Sequence, residues 1–123
     1  MSAAETQDIL DELMKVLQDR RDNPSAGSYT ASLFVGGESK IGAKILEEAA
    51  ELVESTSDQE SYSRQHFIHE TADLFFHTLV MLVNQGVSLT EIRTELSRRF
   101  GVSGLQEKAN RRSSNPNLPE SQS

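Results

Sequence analysis

The chain of 123 residues contains no cysteine, which excludes disulfide staples and thiolate metal sites together. It has no apolar run of membrane-spanning length, and its first stretch, MSAAETQDILDELMKVLQDRR, lacks the hydrophobic core of a secretory signal. These absences point to a cytoplasmic protein without a membrane partner. Basic residues are also in short supply: 12 Lys and Arg stand against 19 Asp and Glu, a formal net charge of −7. Broad contact with nucleic acid needs a basic face, so that partner is disfavoured. A negative surface instead holds divalent cations wherever its carboxylates converge. What remains is ordinary for a globular protein, 36% hydrophobic and 25% charged, with length for one domain and one modest core.

Apolar periodicity predicts four helices. The first covers about 6–21, with Ile9, Leu10, Leu13, Met14 and Leu17 at three- and four-residue steps. DNPSAG ends it, because Pro24 cannot continue a helix and Asn23, Ser25 and Gly27 favour turns. SYTASLFVGG then reads as a polar-aromatic connection of the length used by binding loops. The second helix is expected over about 39–55, with Ile41, Ile45, Leu46, Ala49, Leu52 and Val53 as its apolar arc. A solvated turn, STSDQES, leads to a third over about 62–84, stopped by Gly86. Ser88 and Glu91 have capping-box spacing at the start of the fourth, which ends by Gly101. Residues 113–123, SSNPNLPESQS, carry almost nothing apolar and are expected to be disordered. The fold class is all-α, with residues 1–112 as the working domain.

The third helix carries the chemical signal. His66, Glu70, Asp73 and His77 share one narrow stripe of it, while Phe67, Ile68, Phe75, Phe76, Leu79, Leu82 and Val83 fill much of the remaining circumference. Two carboxylates in an otherwise apolar helix lose hydration and repel one another, at several kcal/mol per ion unless a cation or donors compensate. In the second helix Glu47, Glu48, Glu51 and Glu54 cluster opposite the leucines. A short turn makes the two helices antiparallel. Glu48 and Glu51 can then face Glu70 and Asp73 and surround Mg²⁺ or Mn²⁺ with hard oxygen ligands. The competing reading of the second helix alone is a solvated face in which Lys44 pairs with Glu47 or Glu48. A lone histidine on a buried helix is more often a hydrogen-bonded core residue than a ligand.

The pattern E-E-x-x-E followed by E-x-x-D resembles the MazG-like nucleoside triphosphate pyrophosphohydrolases. Three stretches, GSYTASLF (27–34), KIGAKILEEAAELV (40–53) and HETADLFFHTLVMLVNQGVSLTEI (69–92), are similar to the phosphoribosyl-ATP pyrophosphohydrolases of histidine biosynthesis. FGVSGLQEKANR (100–111) resembles the C-terminal end of that family, and Phe76 stands where many relatives carry tyrosine. The resemblance implies a MazG-like bundle of four to five helices completed by homodimerisation. It implies hydrolysis of phosphoribosyl-ATP to phosphoribosyl-AMP and pyrophosphate with Mg²⁺. Glu48, Glu51, Glu70 and Asp73 match the ligand positions, and Glu47 matches as a further ligand or as the group that orients water. Glu47 and Glu48 are thus the catalytic candidates.

Positive groups are needed near such a site. Lys40 and Lys44 lie one to two turns before the glutamates, and either meet the triphosphate or simply pair with Glu47 and Glu48. Lys108, Arg111 and Arg112 either fold over substrate or only solubilise the chain end; Tyr29 either stacks on adenine or anchors its loop. Two other functions share parts of this pattern. A housecleaning pyrophosphatase acting on dUTP, dCTP or damaged nucleotides needs the acidic motif alone, and a helical dimerisation module needs no metal at all. A di-iron carboxylate bundle would need E-x-x-H, which neither Glu48 nor Glu70 begins.

Overall fold

A computed structural model describes residues 8–57 and 59–101, and shows four helices and no strand among them. They are α1 (Ile9–Asp22), α2 (Tyr29–Glu54), α3 (Arg64–Asn84) and α4 (Leu89–Phe100). The expected disordered tail and the basic group at Lys108, Arg111 and Arg112 lie outside the described residues. The chain divides into two units, one ending at Val87 and the other beginning at Ser88.

Local chemistry sets the helix ends. Asp8, Ser28 and Ser63 each cap a helix of the first unit by accepting a hydrogen bond from the backbone N–H three residues on. At the far end of α3, the Gly86 N–H bonds to the Val83 carbonyl and the Val87 N–H to the Leu82 carbonyl. Gly86 takes φ +71° to allow this double closure, so the stop read from the sequence has a specific mechanism. In the second unit the capping box of α4 is complete: Ser88 Oγ accepts from the Glu91 N–H, and the Glu91 carboxylate accepts from the Ser88 N–H. Arg98 and Arg99 both bind Glu95 on the surface of α4 and hold its carboxyl down to about 2.

The expected binding loop is helical instead. Ser28 starts a helix at once, and Ala31 and Leu33 are buried within it. The helix then breaks at Gly37, which takes φ +70° and ψ −163° before the chain winds on to Glu54. That backbone conformation is open almost only to glycine. The break has a large geometric effect. Glu38 bonds Gln85, and Glu51 lies against Glu70, so α2 beyond the break runs antiparallel to α3. Continued straight backwards, α2 would carry Tyr29 past the end of α3. The kink turns it back, and Tyr29 meets His77 about two turns inside that helix.

Leu17, Leu33, Ile41, Val80 and Val83 are completely buried and draw α1, both arms of α2, and α3 into one core. Arg21 adds a polar tie from α1, donating to the Val83 carbonyl at 3.0 Å. The apolar arc expected for α2 is only partly used, because Leu46 and Val53 are 74% and 68% exposed while Glu48 is buried. The acidic side of that helix turns inward.

A Cβ at position 37 would touch nothing within 4 Å, so Gly37→Ala loses only backbone conformation. We expect it to lower unfolding free energy by about 1–3 kcal/mol in urea titration. At Gly42, where the new Cβ would sit 3.8 Å from Met81 Cε, the same change is expected to be neutral or stabilising, by up to about 1 kcal/mol.

Candidate metal-dependent active site

Glu48 and Glu51 sit one turn apart on α2, as Glu70 and Asp73 do on α3, and the antiparallel packing brings the two pairs together. Glu48, Glu51 and Glu70 each place one carboxylate oxygen within 4.8 Å of the others. Glu48 and Glu70 are only 6% and 5% exposed. One oxygen of each, Oε2 in both cases, is buried without a hydrogen-bond partner among the described residues. A buried carboxylate oxygen with no donor is costly, so a native site of this kind signals a missing positive partner.

The electrostatics agree. Burial pushes the Glu48 carboxyl up to about 7, and the charges of Asp73 and Glu51 push the same way. Glu70 is raised first by a hydrogen bond shared with Glu51, then by burial. The charge of a bound cation would relieve both the burial and the crowding of these carboxyls. All the crowded donors are carboxylate oxygens, which suit a hard divalent ion rather than a soft one. The residues present therefore fit such an ion.

Asp73 is attached to this trio through Glu70. Its Oδ2 lies 3.2 Å from His69 Nε2, and His69, Glu70 and Asp73 form a second set within 4.8 Å. His69 was not among the site residues expected from sequence, although its i,i+4 spacing to Asp73 on an exposed helix face was visible there. His66 approaches Glu70 Oε1 at 3.8 Å from the solvent side. The trio opens there into a cleft of about 480 Å³ lined by Glu51, Glu54, Ser55, Ser61, His66 and Glu70, a size suited to a small molecule.

The remaining candidates spread out around this centre. Glu47 is exposed and outside both carboxylate sets, with its Oε2 2.7 Å from Lys44 Nζ. That contact holds its carboxyl below the usual range and raises the lysine. Lys44 also stands 4.0 Å from Glu48 Oε1, at the edge of the acidic centre. Lys40 points elsewhere. Its stem lies over Gly36 and its Nζ reaches Ser32 Oγ at 3.3 Å, bridging the kink. Tyr29 is half-exposed, and its hydroxyl is hydrogen-bonded to His77 Nε2 at 2.9 Å. Lys108 and Arg111 lie outside the described residues.

A sequence model of the phosphoribosyl-ATP pyrophosphohydrolase family matches residues 10–100. The chain is 46% identical over 102 residues to the phosphoribosyl-ATP pyrophosphatase of Rhodopirellula baltica, covering 83% of this chain and 85% of that one. It is 48% identical over 104 residues to that of Geotalea daltonii, covering 85% and 95%. With the Hydrogenovibrio crunogenus protein of the same name it shares 47% over 105 residues, covering 85% and 93%. The match runs across both α2 and α3 and nearly the whole length of its relatives. The chain belongs to the phosphoribosyl-ATP pyrophosphohydrolase family.

Proposed function

We propose that this chain hydrolyses phosphoribosyl-ATP to phosphoribosyl-AMP and pyrophosphate, with Glu48, Glu51, Glu70 and Asp73 as the ligands of Mg²⁺. Family membership supports the reaction. The observation that supports the ligand set is the pair of buried, partnerless oxygens on Glu48 and Glu70, with Glu51 against both. A bound Mg²⁺ supplies charge for the triphosphate oxygens and makes a water more acidic.

The chain's own groups divide the other tasks. Lys44, at the rim of the carboxylates, meets the phosphates. Glu47 is kept ionised by Lys44 and stands outside the ligand sets. Through the oxygen not bound to Lys44 it orients water and accepts its proton as the water oxygen adds to phosphorus. The bond between the α-phosphorus and the bridging oxygen then breaks, and pyrophosphate leaves. Lys40 contributes from the kink if the Ser32 contact opens, and Lys108 and Arg111 belong to the same reading as substrate contacts. Residues 1–112 form the functional domain in this reading, with 113–123 as a tail.

The chain is further proposed to work as a homodimer in the cytoplasm; no helix among the described residues is long and apolar enough to cross a membrane. Val35, Leu46, Val53, Ile68 and Phe75 are exposed on α2 and α3, a large apolar surface for so small a unit.

Incubation with phosphoribosyl-ATP and Mg²⁺ should release pyrophosphate rather than phosphate, and product analysis by ion chromatography checks it. A nucleotide panel turned over as well as phosphoribosyl-ATP would instead favour a housecleaning role. Asp73→Asn and Glu51→Gln should lower kcat/KM by about two to three orders of magnitude while circular dichroism stays unchanged. Near-normal turnover in Asp73→Asn would remove it from the site.

Stability should also depend on pH in a defined direction. Glu48 binds its proton more tightly folded than unfolded, so its stabilising effect is full below 4.5 and lost as pH rises through about 7. The metal-free protein is therefore expected to melt at lower temperature as pH rises across that window, and Glu48→Gln should flatten the slope. Millimolar Mg²⁺ should stabilise the chain more above the window than below it. Sedimentation should show a dimer that Leu46→Lys converts to a folded monomer.

A further inference from the structure

His77 is a buried imidazole that the proposed reaction does not use. It is 5% exposed, wedged between α3 and the first arm of α2, with the Phe76 ring edge-on to it at 5.0 Å. Its Nδ1 lies 2.9 Å from the Asp73 carbonyl oxygen and its Nε2 2.9 Å from the Tyr29 hydroxyl. A carbonyl oxygen only accepts, so Nδ1 carries the hydrogen. In the Nδ1–H tautomer the lone pair lies at Nε2, and the Tyr29 O–H donates into it.

This fixes the polarity of Tyr29. With its one proton committed to His77, the phenol oxygen can only accept further hydrogen bonds. Tyr29 is 50% exposed, and its ring stands perpendicular to the imidazole at 87°. Lys44 offers only donors. Lys44, at the edge of the acidic centre, thus offers a donor that suits phosphate, and Tyr29, held one turn beyond Asp73 through His77, an acceptor that suits a hydroxyl. Such a pair matches a phosphorylated sugar, in which both groups occur within a few bonds.

We propose that His77 is a positioning residue: it holds Tyr29 with its oxygen as an acceptor for a substrate hydroxyl, one turn beyond Asp73 on the same helix. The proposal rests on phosphoribosyl-ATP being the substrate. It also gives the Gly37 kink a purpose, because only a folded-back arm brings Tyr29 to His77.

The test measures pyrophosphate release from phosphoribosyl-ATP at saturating Mg²⁺, for wild type, Tyr29→Phe, His77→Asn, His77→Gln and the double variant Tyr29→Phe/His77→Asn. The shorter amide of asparagine can keep the bond to the Asp73 carbonyl but not reach Tyr29, whereas the glutamine oxygen can accept from the phenol. Tyr29→Phe and His77→Asn should each raise KM roughly three- to tenfold, the scale of one lost neutral hydrogen bond, with kcat nearly unchanged. The double variant should be no worse than the poorer single one, and His77→Gln should recover most of the affinity. An unchanged KM in Tyr29→Phe, losses that multiply in the double variant, or a fall in kcat alone overturns the proposal. Where the position 77 variants fail to fold, Tyr29→Phe, which keeps the buried histidine, decides it. A wild-type protein that releases no pyrophosphate overturns the substrate assignment instead, and does so before any variant is made.

Discussion

Glu48 and Glu70 face each other across two antiparallel helices with Glu51 against both, and the rest of the first unit is arranged to keep them there. Left alone, such carboxylates separate, since each loses water and gains a like-charged neighbour. Separation is resisted by the aliphatic core, where Ile41 of α2 and Val80 and Val83 of α3 are all completely buried, in the half of the hairpin nearer Gly86. The core and the acidic centre thus occupy successive levels of the same helix pair. Hydrophobic burial at one level holds charge repulsion in place at the other.

That arrangement explains an inversion in α2. An amphipathic helix ordinarily turns leucines to its neighbour and glutamates to water. Here Glu48 is buried and Leu46 is mostly exposed. The helix has been rotated so that function faces inward, and the displaced apolar surface must be covered by something else. That surface is the one proposed for contact with a second copy of the chain.

Much of this was legible in the sequence, and the failures have physical causes. The capping box at Ser88 and Glu91 and the stop at Gly86 are local devices, with backbone hydrogen bonds satisfied by near neighbours, and they appear where read. The pairing of Glu48 and Glu51 with Glu70 followed from two spacings and one short turn. The segment from Ser28 to Val35 reads as a loop in the sequence because Gly36 and Gly37 follow it and its apolar face is too short to set a period. The cap signal was present in Ser28, whose hydroxyl accepts from the Ala31 N–H, but Leu33 reveals itself as core only once the kink at Gly37 folds that arm against α3. Lys40 was placed beside Lys44 on helical spacing. The break three residues earlier supplied it with a nearer partner in Ser32.

The kink also joins the two halves of the molecule's chemistry. Carboxylates that gather a cation can be specified within one hairpin, but such a pocket does not by itself distinguish one triphosphate from another. Discrimination needs groups that touch the parts of a substrate away from its phosphates. Tyr29 is well placed for this because it comes from outside the straight run of α2 and is held by a histidine one turn beyond Asp73. The backbone of a proposed ligand, Asp73, is therefore hydrogen-bonded to the ring that orients a proposed substrate contact. A shift of α3 that moved Glu70 and Asp73 would move His77 and its bond to Tyr29 with them.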